Sequence, residues 1–165
     1  MNTHHEKTPG EATILAAIRR FILLVFLLGV TGAGAELLLL EHMESLWQWV
    51  PLLLILLSFV ALGCLAASRR TATVRFFQIT MLLFMISGVV GIILHYQGKV
   101  EFKLEVNPDL GGWELFWAAV KGAAVPPVLA PGVMIQLGLL GLAYTYRHSV
   151  LRPSNEKNYL SNNGG

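Results

Sequence analysis

The sequence predicts an all-α integral membrane protein: four transmembrane helices in a bundle, with a short extended strand and an interfacial amphipathic helix in the long connection between the third and fourth spans. Three observations predict it. The 165 residues are 55% hydrophobic and only 13% charged, with a mean hydropathy of +0.61, well above a water-soluble domain of this size. Four apolar runs, 21–40, 49–67, 76–94 and 128–146, approach the roughly 20 residues that cross a hydrocarbon core about 30 Å thick. Basic residues flank these runs in the alternating pattern that a multi-pass chain requires. The chain divides into a polar tail over 1–18, a membrane domain over 19–148 and a second polar tail over 149–165.

The first span follows Arg19-Arg20. Arginines, a ten-residue apolar run and Ala33-Gly34-Ala35 imitate a secretory signal with its cleavage site. The apolar run resumes at Leu37 to Leu40, however, and the whole is long enough to span, so an uncleaved helix is the preferred reading. The link to the second span, EHMESLWQW, carries acids and no Lys or Arg. Arg69, Arg70 and Arg75 stand between the second and third spans, and Arg147, Arg152 and Lys157 follow the fourth. Four crossings put all three basic clusters on one side, which makes both termini cytoplasmic and the protein a plasma-membrane component. The connection 96–125 then lies outside. Trp47, Trp49, Tyr96, Tyr144 and Tyr146 fall at span boundaries, where aromatic rings anchor to headgroups.

Within the outer connection, KVEFKLEV (Lys99 to Val106) alternates charged and apolar residues. An extended strand would put Val100, Phe102, Leu104 and Val106 on one face. No second alternating segment exists to pair with it, so strand addition to a partner or a second copy is one way to satisfy its backbone; water is the other. Asn107-Pro108-Asp109 reads as a turn. In GWELFWAAVKG, Trp113, Phe116, Trp117 and Val120 recur at i, i+3, i+4 and i+7, the pattern of a short amphipathic helix anchored by its rings in the headgroup plane. The fourth span opens with Pro126-Pro127 and Pro131-Gly132. Proline suits a first turn, and VPPVLAPG is expected to enter the membrane as irregular backbone covered by protein.

Polar residues inside the apolar runs supply the candidate site. Glu36 shares a helical stripe with Gly29, Gly32 and Met43, His95 with Gly91, Gly88 and Met81, and Gln136 with Gly132 and Ala143; Gly138, Gly141 and Thr145 form a neighbouring stripe. Small residues let membrane helices approach closely, and a carboxylate is costly toward lipid. A polar outer pocket lined by Glu36, His95 and Gln136 is therefore expected, either structural or ligand-binding. His42 and His95 belong to outer helix ends and are the candidates for haem or metal, although two histidines at interfaces are ordinarily solvated. His4 and His5 in the tail read as solvated, Met81 and Met85 as packing, and Cys64 as a small apolar filler.

No nucleophile–base order, phosphate-cradling glycine loop or redox cysteine pair can be assembled from these residues, and no basic patch with interleaved aromatics points to nucleic acid. The leading expectation is a non-catalytic accessory or interaction subunit that docks a membrane or extracytoplasmic protein, or a second copy, through its outer loop. The alternative is a binder of haem, metal or a lipophilic small molecule; proton-coupled transport as an oligomer ranks third.

Overall fold

The computed structural model describes residues 9–40, 46–121 and 129–146. They form five α-helices: α1 (Pro9–Leu39), α2 (Leu46–Ala67), α3 (Thr71–Val106), α4 (Gly112–Lys121) and α5 (Leu129–Thr145). Three of these, α1 to α3, contain stretches long and apolar enough to cross a membrane; α5 is apolar but shorter. At 1.5 Å per residue α5 extends about 25 Å and α3 about 54 Å. The two tails beyond residues 9 and 146, His42, and Pro126 to Val128 lie outside the described residues.

Helix α1 begins at Pro9, a residue whose fixed φ and missing N–H suit the first helical position. The polar N-terminal segment is thus helical well before Arg19. Its inward stripe is Phe26, Val30, Ala33, Gly34 and Leu37, which pack into the core at the 3.6-residue period. The link from α2 to α3 is only Ser68-Arg69-Arg70. Thr73 fixes it: its hydroxyl accepts the Arg70 N–H (3.2 Å) and also lies against the Ser68 carbonyl.

The core is built around α3. Val74, Phe77, Met81 and Phe84 are buried with Leu54, Ile55, Ala61 and Leu65 of α2, Phe26 and Val30 of α1, and Met134 and Leu137 of α5. The Phe77 ring meets Phe26 edge-on at 5.9 Å and Tyr144 at 6.2 Å, the geometry that aromatic quadrupoles favour. Buried hydroxyls bond back to their own helices, Ser58 to the Ile55 carbonyl (2.7 Å) and Thr80 to the Phe76 carbonyl (3.0 Å). Among the described residues no buried side-chain nitrogen or oxygen lacks a partner.

Helices α3 and α5 run antiparallel and approach most closely through glycine. A Cβ on Gly88 would stand 2.6 Å from the Pro131 carbonyl oxygen, and one on Gly138 would stand 2.7 Å from the Met81 carbonyl oxygen. Gly91 faces Pro131, and Gly141 faces Met81 and Phe77. The glycines of each helix thus face larger residues of the other, Gly88 and Gly91 against Pro131 and Ile135, and Gly138 and Gly141 against Met81, Met85 and Phe77. Met81, fully buried, fills the space that Gly141 leaves.

The expected strand over Lys99 to Val106 is overturned, because α3 continues through it to Val106 and no strand occurs among the described residues. The alternation was real but did not decide the outcome. A lone strand leaves its backbone unpaired, whereas extending an existing helix satisfies each N–H locally and needs no new nucleus. Lys, Glu and Leu in this segment are good helix formers. Val100, Phe102, Leu104 and Val106 consequently do not share a face. Tyr96, Lys99, Val100, Lys103 and Leu104 are half-buried on one side, while Phe102 and Val106 are exposed on another.

Candidate functional site

Helix α3 ends where Pro108 forces the preceding residue out of the helical region: Asn107 is extended, at φ −142° and ψ 93°. The Asn107 side chain accepts the Asp109 N–H (3.3 Å), its carbonyl accepts the Leu110 N–H (3.3 Å), and its own N–H donates to the Lys103 carbonyl (2.9 Å). Gly112 then adopts φ +53°, a left-handed conformation that glycine enters without steric cost. The chain turns back as α4, which packs against α3. Glu114 stands in the first turn of α4 and Lys121 in the last, each at the end where the helix dipole favours its charge.

This α3–α4 hairpin carries an aromatic cluster. Trp113 stacks on Phe116 at 5.1 Å and 12°, Trp117 meets both edge-on at 5.4 and 5.3 Å, and Tyr96 of α3 joins through Phe116 at 6.0 Å. The Lys121 ammonium sits 4.5 Å above the Trp117 ring, a cation–π contact. The cluster faces away from the bundle. Helix α4 buries Ala119 and leaves Trp113 71% exposed, with Phe116 and Trp117 exposed at its flank. Tyr96 ends the apolar part of α3, so its contact with Phe116 holds the cluster at that level.

The three polar residues expected to line one pocket are not gathered into one. Glu36, His95 and Gln136 are all exposed, each on a different helix. Gly32, one turn before Glu36, has open space where a Cβ would stand. The reason is rotational: Phe26, Val30 and Leu37 claim the inward face of α1, which turns the Glu36 stripe outward apart from Gly29, which meets Leu137. On α5 the Gly138–Gly141–Thr145 stripe takes the interior, and Gln136, Leu139, Leu140 and Ala143 line a shallow groove open to the surroundings. The candidate haem ligand His42 lies outside the described residues, and His95 stands on the exposed side of α3. Among the described residues no group of three His, Cys, Asp or Glu side chains is arranged to hold a metal ion. Cys64 is exposed on α2 rather than filling the core.

Two polar contacts escaped the sequence reading. The Gln78 amide of α3 donates to the Thr145 hydroxyl of α5 at 3.4 Å. The Arg19 guanidinium of α1 donates to the Tyr146 carbonyl at 3.0 Å, at the end of α5. Gln78 was the available signal, a lone amide inside an apolar run three residues after Arg75. No protein-family model, curated protein or solved structure matches this chain.

Proposed function

We propose that the protein is a four-crossing, non-catalytic accessory subunit of the plasma membrane, and that the α3–α4 hairpin is its docking element on the outer side. One observation carries the reading: α3 runs eleven residues past His95 as a continuous helix, with Phe102 59% and Val106 68% exposed. These two side chains are i, i+4 neighbours on one helix face. They stand beyond the apolar part of α3, so lipid is not their natural partner. In this reading α5 makes the fourth crossing, the termini share the cytoplasmic side with the arginines, and Trp113, Phe116 and Trp117 sit among the headgroups and fix the height of the hairpin. A partner protein with an apolar helix or loop then meets a projecting, pre-ordered surface, which lowers the ordering cost of association.

The test is a photoreactive amino acid at position 102 or 106, irradiated in native membranes. An adduct to a second polypeptide, lost when the other of the two residues becomes Glu, supports docking. An adduct to a second copy assigns the surface to self-association. Lipid adducts alone would defeat the reading. Placement is tested by membrane-impermeant labelling of single cysteines at 109 and 70, in a chain whose Cys64 is first replaced by serine: position 109 should react from outside and position 70 should not.

A further inference from the structure

The two ends of the bundle use different cations. Every arginine among the described residues, Arg19, Arg20, Arg69, Arg70 and Arg75, lies at one end, and every lysine among them, Lys99, Lys103 and Lys121, lies at the other. The contacts bring the arginines to one level. Arg19 reaches the Tyr146 carbonyl and Gln78 reaches Thr145, so α1 and α3 are pinned to the last residue of α5 and the one that follows it. Arg75 is three residues, about 4.5 Å along the axis, before Gln78. Arg69 and Arg70 occupy the short link immediately preceding α3. Arg19 is half-buried and serves the end of α5, while Arg20, Arg69, Arg70 and Arg75 are exposed. The described carboxylates from Glu36 onward are at the opposite end, and Glu11 stands eight residues before Arg19 on α1.

Orientation in a membrane needs positive charge, and lysine supplies it as well as arginine. What arginine adds is a planar fork that grips phosphate oxygens in pairs. We infer that the arginine end of the bundle is a binding site for phosphate esters, with the exposed guanidiniums of the α2–α3 link and Arg75 as its principal donors. The ligand chemistry is that of an anionic phospholipid headgroup or of a soluble phosphate. The α2–α3 link is three residues long and fastened by Thr73, so its arginines project from a fixed scaffold. The site is independent of the docking surface on the hairpin, and either can fail without the other.

The experiment uses the full chain reconstituted in vesicles of equimolar phosphatidylcholine and phosphatidylglycerol, extracted in mild detergent, with the retained lipids counted by mass spectrometry. Phosphatidylglycerol should be retained about ten-fold over phosphatidylcholine, the low end of what a hydrogen bond to a charged group supplies. The charge-preserving variant Arg69→Lys/Arg70→Lys/Arg75→Lys should lose most of that excess. These side chains are exposed and the link is held by backbone groups and Thr73, so helix content should match the parent; the single variant Arg75→Lys, outside the link, should lose part of the excess. A second arm adds inorganic phosphate to protein in pure phosphatidylcholine: a rise in unfolding temperature, absent from the triple variant, assigns the site to soluble phosphate as well, and its absence alongside lipid retention assigns it to lipid. Equal retention of the two lipids with no response to phosphate overturns the proposal, as does a triple lysine variant that behaves like the parent, since charge alone would then suffice.

Discussion

An alanine at Gly88 would place its Cβ 2.6 Å from both the Pro131 carbonyl oxygen and the Ile135 Cγ1 of α5, against the 3.4 Å at which ordinary contact begins. The Ile135 methylene can rotate away. The Pro131 carbonyl is backbone within α5, so removing a shortfall of about 0.8 Å requires α3 and α5 to separate. A gap of that size forfeits roughly a quarter to a half of each dispersion contact of about 0.1–0.2 kcal/mol, and on the order of 30 atom pairs across such an interface gives about 1.5 kcal/mol. This falls within the range of about 1–3 kcal/mol for overpacking a tight core. The better helix propensity of alanine offers little compensation, because membrane helices keep their internal hydrogen bonds before they associate. Gly138→Ala meets the Met81 carbonyl at 2.7 Å and should cost about the same. One separation relieves both clashes, so the double variant should cost about 2 kcal/mol rather than the sum. Gly63→Ala, where the Cβ meets nothing within 4 Å, is the control and should be neutral. Unfolding in mixed micelles of rising dodecyl sulfate content, followed by tryptophan fluorescence and circular dichroism, measures the differences. If Gly88→Ala and Gly138→Ala are as stable as Gly63→Ala, the glycine contact does not set the α3–α5 distance.

Three further outcomes follow from the contacts. Thr145→Val removes the acceptor of the Gln78 amide and should destabilise the bundle by about 0.6 kcal/mol, the average for a hydrogen bond between membrane helices, with Gln78→Leu adding little on top in a double-mutant cycle. Arg19→Ala removes the cation at the end of α5 and should cost about 1 kcal/mol; Arg19→Lys should recover part of this, as measured in the same micelle assay. Spin labels placed singly at 97 to 106, with Cys64 replaced by serine, should show immobilisation recurring near every 3.6 residues, strongest around 100 and 103–104. A two-residue alternation would restore the strand and remove α3's extension.

Much of the architecture was legible because apolar length and glycine spacing are local properties. The Gly88–Gly91 and Gly138–Gly141–Thr145 stripes were visible from i+3 and i+4 periodicity alone, and both lie in the α3–α5 contact, each against larger side chains of the other helix. Three features were not legible. Over Lys99 to Val106 the two-residue alternation argued for a strand, but the deciding quantity was whether a pairing partner existed, which is a property of the whole chain. For Glu36 the stripe divided: Gly29 meets Leu137, while Gly32 and Glu36 turn outward. Periodicity says which residues share a face, not which face turns inward; here the bulk of Phe26 and Val30 settled it, and the acid with its open Gly32 was turned outward. The Arg19 contact with the Tyr146 carbonyl joins residues 127 positions apart, and no pattern within one helix announces such a meeting.

The uninterrupted course of α3 makes it a lever. Its close backbone contact with α5 at Gly88 lies 18 residues and about 27 Å from Val106. Because the shaft contains no break, a tilt of about 5° around that fulcrum would sweep the tip sideways by about 2 Å while swinging Arg75 the opposite way on the shorter arm. Force applied by anything that grips the tip would thus be felt at the arginine end with reversed sign.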